Sequence, residues 1–196
     1  MAVLWSGLWR QETRRIEGRR VYLRAPQWLD YEAWATLRSE SREFLTPWEP
    51  SWAVDELSKS GYRRRLAAYE RSAREEEGYP WFIFRQHDNA LVGGITLSSI
   101  RRGAQQSGVL GYWAGQVYAG RGYVADAVRA TLAFSFNTLG LYRIEAACLP
   151  ENEASKWVLR RCGFTEEGYA RLYLQIAGVR RDHLLFAILC HDGIKN

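Results

Sequence analysis

The chain has 196 residues, 47% of them hydrophobic, and a formal net charge of +5. That length suits one domain with a real core, and nothing in the composition is collagen-like, low-complexity or disordered. No run approaches the roughly 18 apolar residues of a membrane-spanning helix, and no CxxC pair or ligand-spaced histidines suggest a metal site.

The opening MAVLWSGLWRQETRR lacks the basic start and small-residue cleavage site of a signal peptide. It reads as a loosely attached extension, residues 1–15, of a single domain spanning 1–196. Cys148, Cys162 and Cys190 are odd in number and widely spaced, which fits a reduced, cytoplasmic protein with three buried thiols.

IEGRRVYLRAP (16–26) reads as a strand ended by Pro26. Asp30 is expected to cap a helix through YEAWATLRSESREF, and FLTPWEPSW (44–52) to form a loop fixed by Pro47 and Pro50. A charged helix is expected from about Asp55 to Glu77. Its RRR and EEE runs suit a solvated face, with an RNA contact surface as the other reading. YPWFIFRQ and ALVGGITLSSI form a hairpin turned at HDN, and GVLGYWAG is a further strand. In YVADAVRATLAFSFNTLG, Val124, Val128, Leu132, Phe136 and Leu139 recur at helical spacing, and Gly140 suits the stop. YRIEAACL is a strand, followed by a short helix from Glu153 to Cys162 with Asn152 as N-cap and Gly163 as stop. EGYARLYLQIAGVRRDHLLFAIL closes as two strands turned near Gly178. This order predicts an α/β protein of the α+β kind, a mixed sheet flanked by helices, and not a doubly wound dinucleotide fold.

YAGRGYVADA (118–127) carries the first chemical signal. A glycine-rich turn that opens a helix places unpaired amides and the positive end of a dipole at one point, and lets a phosphate approach the backbone. Arg121 adds charge. A tight connection permitted by glycine is the plain alternative.

NEASKWVLRRCGFTEEG follows, and with it the span Leu110–Gly168 resembles the GNAT superfamily of acyl-CoA-dependent N-acetyltransferases. Asn152, Ser155, Gly163 and Phe164 match its second motif. Its pyrophosphate loop, Q/R-x-x-G-x-G/A, is matched in part: Gly122 fills the central glycine and Gly120 is the common extra one, while Ala119 and Val124 depart from it. FLTPWEP and GVRRDHLLFAIL are similar to the RimJ/RimL type of ribosomal-protein N-terminal acetyltransferase, its RimJ branch in particular, so that the likeness runs from Val21 to Leu189.

The resemblance implies acetyl-CoA as co-substrate, no metal, and as acceptor a protein N-terminus beginning with alanine, on a ribosomal protein. Association with the ribosome goes with it, and neither a membrane nor DNA does. It places the cofactor against Trp113, Ala114, Ala119, Gly120, Arg121, Gly122, Tyr123, Val124, Asn152 and Ser155, with the oxyanion donor at the Trp113 or Ala114 amide. Ser155 is its candidate proton donor to the leaving thiolate. Glu49, fixed between two prolines, is the candidate base and ammonium ligand, and Trp48 a candidate groove wall beside Trp52. Glu145 and His183 are weaker bases, and Trp157 is expected to pack beside the cofactor helix. Acetylation of a small amine or drug, or a non-catalytic module docking on the ribosome or RNA, are the competing readings.

Overall fold

The computed structural model describes residues 15–194, so the expected extension lies, but for residue 15, outside the described residues. One eight-stranded sheet organises the fold. Strands β1 (Ile16–Glu17), β2 (Val21–Arg24), β3 (Tyr79–Arg85), β4 (Leu91–Arg101) and β5 (Ser107–Ala114) follow one another antiparallel. β6 (Arg143–Cys148) joins β5 in parallel, and β8 (Val179–Leu189) then β7 (Thr165–Ile176) complete the order.

Among the described residues the α-helices are α1 (Tyr31–Glu40), α2 (Arg42–Leu45), α3 (Lys59–Arg74), α4 (Tyr123–Asn137) and α5 (Glu153–Arg161). The larger core joins one face of the sheet, through Val21, Ile83, Ile95, Leu110, Ile144 and Phe186, to α4 and α5 through Val128, Leu132 and Leu159. The smaller core joins the other face, through Tyr22, Phe82 and Phe84, to α1 and α3 through Trp34, Leu37 and Tyr62. This is the expected mixed sheet flanked by helices, and its antiparallel half excludes a doubly wound arrangement.

Four local expectations change. The first strand bends at Gly18 into the β1–β2 hairpin, where Gly18 N–H donates to the Val21 carbonyl at 2.8 Å. Asp30 precedes α1 but makes no side-chain cap. Its buried carboxylate instead takes the Arg24 guanidinium at 2.7 and 2.6 Å and the Gln27 N–H at 2.7 Å, which leaves it turned away from the first amides of α1. α3 is shorter than its charge pattern: Ser58 Oγ caps it by accepting from Gly61 N–H at 2.9 Å. It unwinds before Glu76, whose φ is +55°. Cys190 is exposed, whereas Cys148 and Cys162 are buried free thiols.

β5 and β6 pair only over Ser107–Val109 and Arg143–Glu145. Beyond that seam β5 is bonded to β4 alone and β6 to β8 alone. Because the two strands are parallel, their C-terminal ends lie on the same side of the sheet. The starts of α4 and α5, which follow those ends, therefore flank the gap where the strands part.

Candidate active site

The segment after β5 winds tightly before it opens. Gly115 N–H donates to Val92 O, Tyr118 N–H to Gly115 O, and Ala119 N–H to Gln116 O. Gly120 and Gly122 then take φ of +71° and +80°, a region that side chains disfavour, and α4 begins. The first bond of α4 runs from Asp126 N–H to Gly122 O at 3.1 Å, so the amides of Tyr123, Val124 and Ala125 have no partner inside the helix. Ala119, Gly120 and Arg121 are exposed. Val124, one of the two departures from the motif, turns its side chain onto the core.

Two supports of this loop come from outside the motif. The buried carboxylate of Asp126 accepts from the N–H groups of Arg19 (3.1 Å), Arg20 (2.7 Å) and Val21 (3.1 Å). Arg20 then donates through Nη1 to the Arg121 carbonyl at 3.0 Å and lies 4.6 Å from the Tyr123 ring centre. Arg85 approaches Tyr118 and Tyr123, at 5.4 and 5.9 Å from their ring centres, and holds the Tyr123 phenol below its ordinary pKa. The mouth of the loop is thus basic and walled by aromatic rings.

Across the gap, Asn152 caps α5 by accepting from Ser155 N–H at 3.0 Å, as its place before Glu153 predicts. Ser155 sits in the first turn of α5, and its Oγ lies 2.8 Å from the Tyr112 Oη. Tyr112 comes from β5, so this bond crosses from one parting strand to the helix behind the other. Burial pushes the Tyr112 phenol well above its ordinary pKa, partly offset by the bond to Ser155. Burial likewise raises the Cys148 thiol, with Ser155 again opposing. Tyr112 was not singled out in the sequence. The alternation of GVLGYWAG, with Leu110, Tyr112 and Ala114 on one face, is the signal that would have found it.

Trp113 faces the other side of the sheet, toward α1. Glu49 does not project freely into a groove. Arg38 donates to both its carboxylate oxygens at 2.7 Å, and Trp52 Nε1 to Oε2 at 2.9 Å. Trp48 ends a short 3-10 turn, Thr46–Trp48, and is half-buried. Glu145 pairs with Arg143 at 2.8 Å, and that arginine also holds Glu167. His183 is buried in β8, with Nδ1 3.0 Å from the Arg181 carbonyl and its ring edge-on to Tyr173. Trp157 is 56% exposed on the outer face of α5, since the apolar side of that short helix is taken by Val158, Leu159 and Cys162.

A basic glycine loop opening one helix, and a hydroxyl pair at the start of the next, flank a gap between parallel strands. Residues 20–165 match the acetyltransferase (GNAT) domain, and the chain belongs to that family of acetyl-CoA-dependent enzymes. It is an N-acetyltransferase of the RimJ/RimL type. It is 36% identical over 177 residues to a probable N-acetyltransferase, YjcK, of Bacillus subtilis, covering 90% of this chain and 98% of that one. It is 33% identical over 165 residues to the ribosomal protein uS5-alanine N-acetyltransferase of Escherichia coli, covering 83% and 85%. Among solved structures, Mycobacterium smegmatis RimJ in complex with CoA-disulfide superposes with a TM-score of 0.82 at 34% identity, over 86% of this chain and 81% of that one.

Proposed function

We propose that the protein transfers the acetyl group of acetyl-CoA to the α-amino group of a protein N-terminus, that of an N-terminal alanine on a ribosomal protein. The observation that carries the chemistry is the Tyr112–Ser155 hydroxyl pair at the gap between β5 and β6. The uS5-alanine N-acetyltransferase, similar along most of its length, supports the choice of acceptor.

The residues present fit a phosphate-bearing thioester. The amides at the start of α4, the open space at Gly120 and the charges of Arg20 and Arg121 would hold its phosphates. The amide edges of β5 and β6 beyond the seam, with Asn152, would hold its amide-bearing arm. The acetyl thioester supplies the electrophile. Gly115 N–H bonds to β4, and the alternation of an antiparallel ladder turns the Ala114 N–H the other way, toward the gap. That amide is the donor we assign to the developing oxyanion.

Ser155, oriented by Tyr112, is the group assigned to protonate or solvate the leaving thiolate. The phenol stays protonated near neutrality because burial holds its pKa up, and either hydroxyl of the pair can be the donor, so that Ser155 can donate onward when Tyr112 donates to it. The acceptor needs little help. A peptide α-amino group has a pKa near ~8 and is roughly one-tenth neutral at pH 7, while a lysine is neutral only about once in ~10³. This favours an N-terminus over a side chain at a site whose acidic candidates, Glu49 and Glu145, are both ion-paired.

Mass spectrometry of peptides incubated with enzyme and acetyl-CoA tests the reading. Peptides beginning with alanine should gain one acetyl group, and the same peptides with a blocked N-terminus and a free lysine should gain none. Acetylation of polyamines or amino sugars in preference to every peptide would replace this reading with the small-amine one.

A further inference from the structure

Glu49 and Arg38 form an ion pair whose surroundings say more than its charges. Arg38, in α1, is 6% exposed, and its guanidinium lies 4.2 Å from the Trp52 ring centre and 4.9 Å from that of Trp113. Its two terminal nitrogens each donate to a different oxygen of Glu49 at 2.7 Å, the two-pronged geometry that fixes orientation as well as distance. Its Nε is buried with no hydrogen-bond partner, so the group is held by the carboxylate and the two indoles.

The main chain of Glu49 reaches further. Its carbonyl accepts from Ala177 N–H at 2.9 Å, at the tip of the β7–β8 hairpin, where Ala177 and Gly178 both have positive φ. The C-terminal end of α1 is tied to the segment after β5 by a second bond, from Gln116 N–H to the buried Ser41 Oγ at 2.9 Å. One residue therefore joins α1, the 49–52 loop, the hairpin tip and, through Arg38 and Trp113, the strand end that carries the Ala114 amide.

We propose that Glu49 and Arg38 act together as positioning residues that set the acceptor side of the site, and that Glu49 is not the general base. This rests on the acetyltransferase reading above. Both oxygens of the carboxylate are occupied, Oε2 by two donors. Taking a proton from the incoming amine would neutralise the carboxylate that faces a buried guanidinium, whose Nε has no hydrogen-bond partner. The pair instead holds the loop and the hairpin tip at a fixed separation and keeps Trp113 in place, on the face of the sheet opposite Tyr112 and Ser155. The two faces divide the work: the α4–α5 face holds the thioester, and the α1 face receives the amine.

The test compares Glu49→Gln, Arg38→Gln and the double variant, using the peptide acetylated best by the wild type. Acceptor KM should rise roughly tenfold or more in each single variant, because small displacements of a binding wall are amplified. The double variant should be no worse than the poorer single one, since the two residues act as a unit. Acetyl-CoA affinity by calorimetry and the shape of the pH–rate profile should stay those of the wild type. A base would behave otherwise: Glu49→Gln would lower kcat by ~10² or more and abolish the acid limb, while Arg38→Gln retained kcat, and that result overturns the proposal. Unchanged acceptor KM in both single variants overturns it as well. Should the glutamine variants fail to fold, Arg38→Lys keeps the charge and loses the second prong. An acceptor KM equal to wild type would then overturn the proposal, and a raised one would support it. A wild-type protein that acetylates no amine would fail the underlying reading instead.

Discussion

The Oη of Tyr112 and the Oγ of Ser155 lie 2.8 Å apart, joining β5 to the first turn of α5 across the gap between two parting strands. The serine belongs to a recognisable motif and the tyrosine does not, yet the pair is one chemical unit. Tyr112→Phe should lower kcat by about tenfold and leave acetyl-CoA affinity unchanged, while Ser155→Ala should lower it by ~10². The double variant should match Ser155→Ala alone, because a relay broken at its outer end gains nothing from its inner one. Steady-state kinetics with a fixed peptide reads all three.

Folding stability should fall on the alkaline side. Burial raises the phenols of Tyr62, Tyr79 and Tyr112 above their ordinary value of 10.0. It also raises the thiol of Cys162 from 9.0 to about 11. A raised folded pKa means that above the unfolded value the folded chain holds protons the unfolded chain has released. The stabilisation is thus complete below the unfolded values and is lost as pH climbs through the folded ones. Thermal melts should be level between about pH 7 and 8.5 and decline from about pH 9, most steeply above about pH 10. A melting temperature that rose over this range would contradict the burial of these groups.

The glycine loop proposed to hold the cofactor should be sensitive to backbone conformation before it is sensitive to space. A Cβ on Gly122 would meet only Arg20 Nη1, at 3.8 Å, an ordinary contact. The φ of +80° is what a side chain resists, at a cost of about 1–2 kcal/mol. Gly122→Ala should therefore fold with a slightly lower melting temperature and bind acetyl-CoA at least roughly tenfold more weakly, since the loop would relax away from its open shape. Calorimetric titration with acetyl-CoA measures it.

Asp126 should prove the more damaging loss. Removing its carboxylate strands the N–H groups of Arg19, Arg20 and Val21 together. A charged acceptor of this kind is worth about 1.5–3 kcal/mol per bond at most, and not additively, so Asp126→Ala should cost about 3 kcal/mol in urea unfolding. Arg20 would lose its hold on the Arg121 carbonyl as well, and acetyl-CoA affinity should fall with stability.

What could be read from the chain was mostly local. The spacing of Val124, Val128 and Leu132 marked α4, and Gly140, Gly163 and Gly178 do take positive φ where the sequence suggested stops and turns. Asn152 caps α5 as expected. The unread part was held by distant partners. Tyr112 finds Ser155 43 positions away, and Asp126 reaches back 105 to 107 positions to the β1–β2 turn. Glu49 was legible as a carboxylate on a proline-fixed loop, but its engagement by Arg38 depends on how α1 docks against Trp113. Asp30 shows the same limit at short range, since nothing in its spacing announces that Arg24 would claim it.

The three-residue seam between β5 and β6 gives this sheet four edges instead of two. The outer pair runs along β1 and β7, but the inner pair faces itself across a wedge. Peptide groups along those inner edges are left without ladder partners, and under the proposed function their partner is the amide-bearing arm of the thioester. Such a guest would be gripped by main chain, whose N–H groups only a proline substitution removes. Under that reading, side chains along the wedge can change while the grip on the guest is kept.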